Sequence, residues 1–153
     1  MIRRTATIHL FYCANSVTDG ELQELQTRLD TDGLKTLSLP CSGKATIPYL
    51  LKAFEKGADG VVLCTCPESK CKNLEGNLRA SKRAEAVGEF LDEIGLGKDR
   101  VVVLAKEQGQ VEPLIGTVQK LQTELGEVYS VGTKPARAAS ADVRAGTRRE
   151  NAA

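Results

Sequence analysis

An α/β fold built on a single open, mostly parallel sheet of about four strands is predicted by three observations. Four apolar runs of strand length alternate along the chain with four stretches whose apolar residues recur at helical spacing. The third run, Gly60-Val61-Val62-Leu63-Cys64, is apolar throughout, as a strand covered on both faces is. Turn residues separate every run from the helix that follows, so the order is strand and helix, four times, and right-handed crossovers place the helices on the sheet's faces.

The first strand is Thr7-Ile8-His9-Leu10-Phe11-Tyr12, and it stops at Cys13-Ala14-Asn15-Ser16. Thr18-Asp19-Gly20 caps a helix from Glu21 to Leu29, with Leu22, Leu25 and Leu29 on one face. Leu34 to Leu39 alternates apolar with polar residues, the pattern of a strand with one wetter face, and Pro40 ends it just before Cys41. A second helix is expected from Thr46, with Pro48 in its first turn and Leu50, Leu51 and Phe54 against the sheet. Gly76-Asn77 precedes a third, from about Leu78 to Ile94, whose stripe is Ala80, Ala84, Val87, Leu91 and Ile94. Arg100 to Ala105 is the last strand, and Pro113 opens a helix carrying Leu114, Val118, Leu121 and Leu125. Flavodoxin-like and Rossmann-like sheets share this pattern.

Periodicity fails from Ser130 onward. The sequence therefore divides into a domain at 1–130 and a tail at 131–153, flexible or docked on a partner. In the tail Lys134, Arg137, Arg144, Arg148 and Arg149 outnumber Asp142 and Glu150, giving it +3 within a chain of net charge +1. A pI near 7.6 and only 4% aromatic residues argue against nucleic-acid binding. No apolar run is long enough to span a bilayer, and Met1-Ile2-Arg3-Arg4 leads into a strand pattern instead of a signal peptide's apolar core. A soluble, cytoplasmic protein is expected.

Five cysteines in a reducing compartment point to metal or redox chemistry instead of a disulfide framework. Cys13, Cys41 and the Cys66/Cys71 pair follow the first, second and third strands, so all lie at the carboxyl rim, where open α/β sheets bind ligands. Four thiolates suit an iron–sulfur cluster or a structural zinc ion, and thiols dispersed among large crossovers favour the cluster over the compact paired cysteines of zinc modules. Pro67 fixes the exit from Cys66, Ser69-Lys70 gives the loop room to curl, and Lys70 and Lys72 add positive charge. Backbone N–H groups at the Gly76-Asn77 helix start are candidate donors to sulfur. Cys64, at the end of the apolar strand, is read as a buried small hydrophobe that could replace another ligand.

Hydrolytic catalysis finds little support, because the single histidine, His9, lies inside a strand. Ser42-Gly43-Lys44 resembles part of a phosphate loop, but Ser38 and Ala45 occupy the positions of its first glycine and its Ser/Thr.

Pro40-Cys41-Ser42-Gly43, the stretch Ala53 to Val61, Cys66-x4-Cys71 and Glu75-Gly76-Asn77-Leu78 occur in an order and spacing that resembles the delta (iron–sulfur) subunit family of methyl-viologen-reducing hydrogenase, associated with heterodisulfide-reductase-like complexes. The resemblance covers roughly Ile8 to Val103. It implies a [2Fe–2S] cluster, with Cys13, Cys41, Cys66 and Cys71 as ligand candidates and no catalytic residues. It also implies a non-catalytic electron-transfer role within an anaerobic oxidoreductase complex. Single electrons would be relayed between two partners, one a donor and the other a flavin-containing heterodisulfide-reductase-like subunit. Two departures stand out. Ser16 occupies the second cysteine position of the family's usual Cys-x-x-Cys at the first loop, and Pro67 stands where the family has a histidine. A zinc-stabilised scaffolding module and a thiol–disulfide protein using Cys64 or Cys66 with Cys71 are the alternatives.

Overall fold

The computed structural model of the chain describes residues 5–130 other than 30, 68 and 73, with side chains described through 126. The basic tail lies outside the described residues. Four strands, β1 (Ile8–Cys13), β2 (Leu34–Leu39), β3 (Gly60–Thr65) and β4 (Val101–Ala105), form one all-parallel sheet in the order β2-β1-β3-β4. The helices are α1 (Asp19–Arg28), α2 (Ile47–Glu55), α3 (Gly76–Glu93) and α4 (Val111–Ser130). This is the flavodoxin-like strand order for its first four strands.

Every residue of β1 and β3 is buried, whereas β2, at one edge, is mostly open. The two-residue period of a strand sorts side chains between two cores. Ile8, Leu10 and Tyr12 of β1, with Val62 and Cys64 of β3, pack under α1 and α4 with Leu25, Leu114, Val118 and Leu121. Phe11, Val61 and Leu63 pack under α2 and α3 with Leu50, Ala80, Ala84, Val87 and Leu91. His9 is also buried, edge-on to Phe11, and burial pushes its pKa down, with Lys35 and Lys56 adding to the effect. It is a core histidine.

Local signals account for the helix starts. Thr18 Oγ1 accepts the Glu21 N–H at 3.2 Å, and the Glu21 carboxylate accepts the Thr18 N–H at 2.8 Å, a reciprocal cap. Thr46 caps α2 ahead of Pro48. Two boundaries differ from expectation. α3 starts at Gly76 instead of Leu78, because Asn77 folds its side chain back onto the Leu78 N–H and onto the preceding loop. Ile94 lies past the helix end and is exposed, since Gly95, at φ 84°, turns the chain away.

Candidate metal centre

The site grows from three strand ends. Cys13 is the last residue of β1, Cys66 follows β3 directly, and the Cys66 thiol donates to Cys13 Sγ at 3.6 Å. Both are buried. Cys41 follows β2 and caps a short 3-10 helix, Ser42–Lys44, where the Gly43 N–H donates to Cys41 Sγ at 3.4 Å. A backbone N–H thus meets a cysteine sulfur in the Cys41 loop. Cys71, half-buried, closes the loop from β3 to α3.

Gly76 explains how these loops come together. A Cβ placed there would overlap Cys41 Sγ and lie 3.4 Å from Cys71 Sγ, so both sulfurs border the space a side chain would take. A Cβ on Gly43 would in turn lie 3.0 Å from the Gly76 Cα. The two glycines thus let α3 press directly on the Cys41 loop. Arg83, two turns along α3, donates to the Gly43 carbonyl and holds the same contact.

The Cys13 and Cys66 sulfurs are therefore in contact, and the Cys41 and Cys71 sulfurs both border Gly76. Among the described residues no three His, Cys, Asp or Glu side chains close on one ion position. Burial foremost, then the Cys13 contact and the neighbouring Cys71 and Cys41, push the Cys66 thiol up to about 12. Cys66 thus feels all three of its candidate co-ligands. Such a thiol yields little thiolate by itself, a poor starting point for disulfide exchange.

Cys64 is held apart. Its strand position turns it toward α1 and α4, the opposite face of the sheet from Phe11. Burial pushes its thiol up to about 11, partly offset by Ser16, whose Oγ lies 3.2 Å from Cys64 Sγ. The same hydroxyl is 3.2 Å from the carbonyls of Thr65 and Lys106. Ser16 is thus fully engaged in the core and closes the turn from Cys13, donating its N–H to the Cys13 carbonyl at 2.8 Å.

The roles of Asn77, Lys106 and Glu21 escaped the sequence reading. Asn77 is buried and donates to the Cys66 and Pro67 carbonyls at 3.1 and 2.8 Å, clamping the loop that leaves β3. A signal existed: stepping the Ala80, Ala84, Val87, Leu91 stripe one turn back lands on this polar side chain. Lys106, just past β4, is buried and pairs with Glu21 at 2.8 Å, while donating to the Ser16 carbonyl at 2.7 Å. Nothing local to Glu21 or Lys106 announces a partner 85 residues away. Lys70, expected to lend charge to the thiols, forms a surface ion pair with Glu107.

Comparison with known proteins adds to this geometry. The chain is 31% identical over 105 residues to the vhu iron-sulfur subunit of the F420-non-reducing hydrogenase of Methanocaldococcus jannaschii, covering 69% of this chain and 76% of that one. It is 35% identical over 100 residues to the vhc iron-sulfur subunit of the corresponding hydrogenase of Methanococcus voltae, covering 60% and 65%. A component of the ferredoxin:CoB-CoM heterodisulfide reductase of Methanosarcina mazei is 29% identical over 101 residues, 66% of this chain but only 13% of that longer protein. The pattern of the family described as "Methyl-viologen-reducing hydrogenase, delta subunit" matches residues 8–128. The chain belongs to the delta-subunit family of methyl-viologen-reducing hydrogenase.

Proposed function

We propose that this protein is an electron-transfer subunit of an anaerobic oxidoreductase complex, carrying a [2Fe–2S] cluster on Cys13, Cys41, Cys66 and Cys71. The observation that carries the reading is the convergence of four thiols from the loops after three separate strands, with Cys66 touching Cys13 and close enough to Cys71 and Cys41 to feel both. Their donor set fits: four cysteine sulfurs are the usual ligands of such a cluster. Two thiolates sharing one tetrahedral ion at about 2.3 Å stand about 3.8 Å apart, close to the 3.6 Å between Cys13 and Cys66. When bound, such a cluster takes up and releases one electron at a time.

The chain's own residues supply the setting. Asn77 fixes the Cys66 carbonyl, Gly43 gives Cys41 Sγ a hydrogen bond, and the buried strand ends keep water from three of the four sulfurs. Neighbouring subunits supply donor and acceptor. The similarity to part of a heterodisulfide reductase component supports the view that one of them is a flavin-containing heterodisulfide-reductase-like subunit. Among the described residues no helix is long and apolar enough to cross a membrane.

Anaerobic reconstitution tests the reading. The expected product binds about two irons per chain and has visible absorption that bleaches on reduction. Colourless protein with stoichiometric zinc would favour a scaffold, and failure to take up iron would overturn the proposal.

A further inference from the structure

Most cations around the thiols are spent at the surface. Lys70 is taken by Glu107, Arg79 pairs with Glu75, and Lys72 is exposed, so water and salt screen all three. Arg83 is different. It is half-buried, and its guanidinium donates to the Gly43 carbonyl at 2.5 Å. The residues one turn away on α3 are Arg79, Ala80, Ala86 and Val87, none of them acidic. Among the described residues no carboxylate forms a salt bridge with Arg83.

The residue that Arg83 holds is the one that touches a candidate ligand. Gly43 offers its carbonyl to Arg83 and its N–H to Cys41 Sγ, the latter at 3.4 Å. A glycine does little to hold its own backbone, so the aim of that N–H depends on what else ties the residue down. A single residue spans the two bonds, which puts the guanidinium within about 10 Å of the sulfur. A partly desolvated cation with no carboxylate is costly unless another negative charge stands near, and thiolates holding a metal group supply one. Hydrogen bonds to sulfur and nearby charge are also the two protein-side levers on the potential of an iron–sulfur site.

We propose that Arg83 is a positioning residue that raises the reduction potential of the site, by holding the Gly43 N–H on Cys41 Sγ and by setting its own uncompensated charge beside the thiolates. Both effects favour the more negative of the two redox states, the reduced one. This rests on the electron-carrier reading. Control of the site then comes from a helix residue 40 positions away from the glycine it holds, on the same helix that Gly76 brings against the Cys41 loop.

The test is redox titration of the reconstituted full chain, followed by visible absorption and EPR. At the potential where wild type is half reduced, Arg83→Leu and Arg83→Gln should each raise the ratio of oxidised to reduced protein at least about threefold, the scale of one charge at this distance in a partly hydrated setting. Iron content should not change. Arg83→Lys, which keeps the charge, should recover part of the shift. Arg79→Leu removes an exposed cation already paired with Glu75 and should titrate as wild type. In the metal-free chain, amide exchange at Gly43 should quicken in Arg83→Leu and Arg83→Gln. Wild-type potentials in both of these variants, an equal shift in Arg79→Leu, or Gly43 exchange indifferent to the loss of Arg83 would each overturn the proposal. Loss of iron from all three Arg83 variants would do so too, by making the arginine structural only. Absence of iron from wild type would instead remove the electron-carrier reading itself, and this proposal with it.

Discussion

Two clusters of buried polar atoms adjoin at the carboxyl rim of the sheet, and they are built on opposite principles. On the α1 and α4 side, Glu21, Lys106 and Ser16 satisfy one another. The Lys106 ammonium meets the Glu21 carboxylate and the Ser16 carbonyl, and Glu21 also accepts the Thr18 and Gly109 N–H groups. On the other side, four thiols from three loops gather: Cys66 meets Cys13, Cys41 takes the Gly43 N–H, and Cys41 and Cys71 border Gly76. A charge whose counter-charge lies in the same chain is there for architecture. On the proposed reading, thiols gathered around one another from distant loops are a donor set for a cluster. The closed cluster is what holds the open one, because Lys106 and Ser16 pin the turn that leaves Cys13.

The contrast breaks most visibly at the thiols. Cys66→Ser or Cys71→Ser should abolish the visible absorption and EPR signal of the reconstituted protein, and Cys64→Ser should leave both intact. A reversed result would move Cys64 into the ligand set.

Next in size is the closed cluster. Lys106→Met strands the Glu21 carboxylate in the core and should cost about 3–5 kcal/mol in urea unfolding, with much of the loss recovered by the double variant Lys106→Met/Glu21→Leu. The pair also sets an acid limb. Burial by itself would raise the Glu21 pKa, but Lys106 and the Thr18 and Gly109 N–H groups outweigh it and hold the carboxyl below its ordinary 4.5. Its stabilising contribution is therefore complete above that value and is lost as pH falls through the lowered one. Glu21→Gln should flatten this part of the stability profile.

A smaller effect is expected at the junction of the thiol loops. Gly76→Ala puts a methyl group into Cys41 Sγ, and relief of that overlap should cost about 1–3 kcal/mol and lower the iron retained per chain. Normal iron content in this variant would mean that Cys41 has room to move and is not held by α3. The smallest change tests the cap that presents Glu21: Thr18→Ala should cost about 1 kcal/mol in thermal or urea unfolding and leave iron content unchanged.

Much of this was legible in sequence. The uniform apolarity of Gly60–Cys64 marked a central strand and the alternation of Leu34–Leu39 a strand with one wetter face, which the structure places at the sheet's edge. Placing Cys13, Cys41, Cys66 and Cys71 on one rim needed only the strand–helix order, because parallel strands all end on the same side. Lys106 with Glu21 was not legible, nor was Asn77 on the Cys66 and Pro67 carbonyls, because no periodicity encodes a pair joined across the sheet or a side chain folded back on its own loop.

Cysteine at 64 and at 66 shows where the division falls. Sequence alone determined that strand-end thiols from three loops share an edge, a consequence of topology that any chain with this alternation of elements inherits. Only the tertiary structure decided which thiols meet. The alternation of β3 turns Cys64 into the α1 and α4 core against Ser16, whereas Cys66, just beyond the strand, meets Cys13. Distances of a few ångströms between loops depend on how closely helices approach the sheet, and here that approach is set by two glycines, Gly43 and Gly76, whose missing side chains leave no periodic trace.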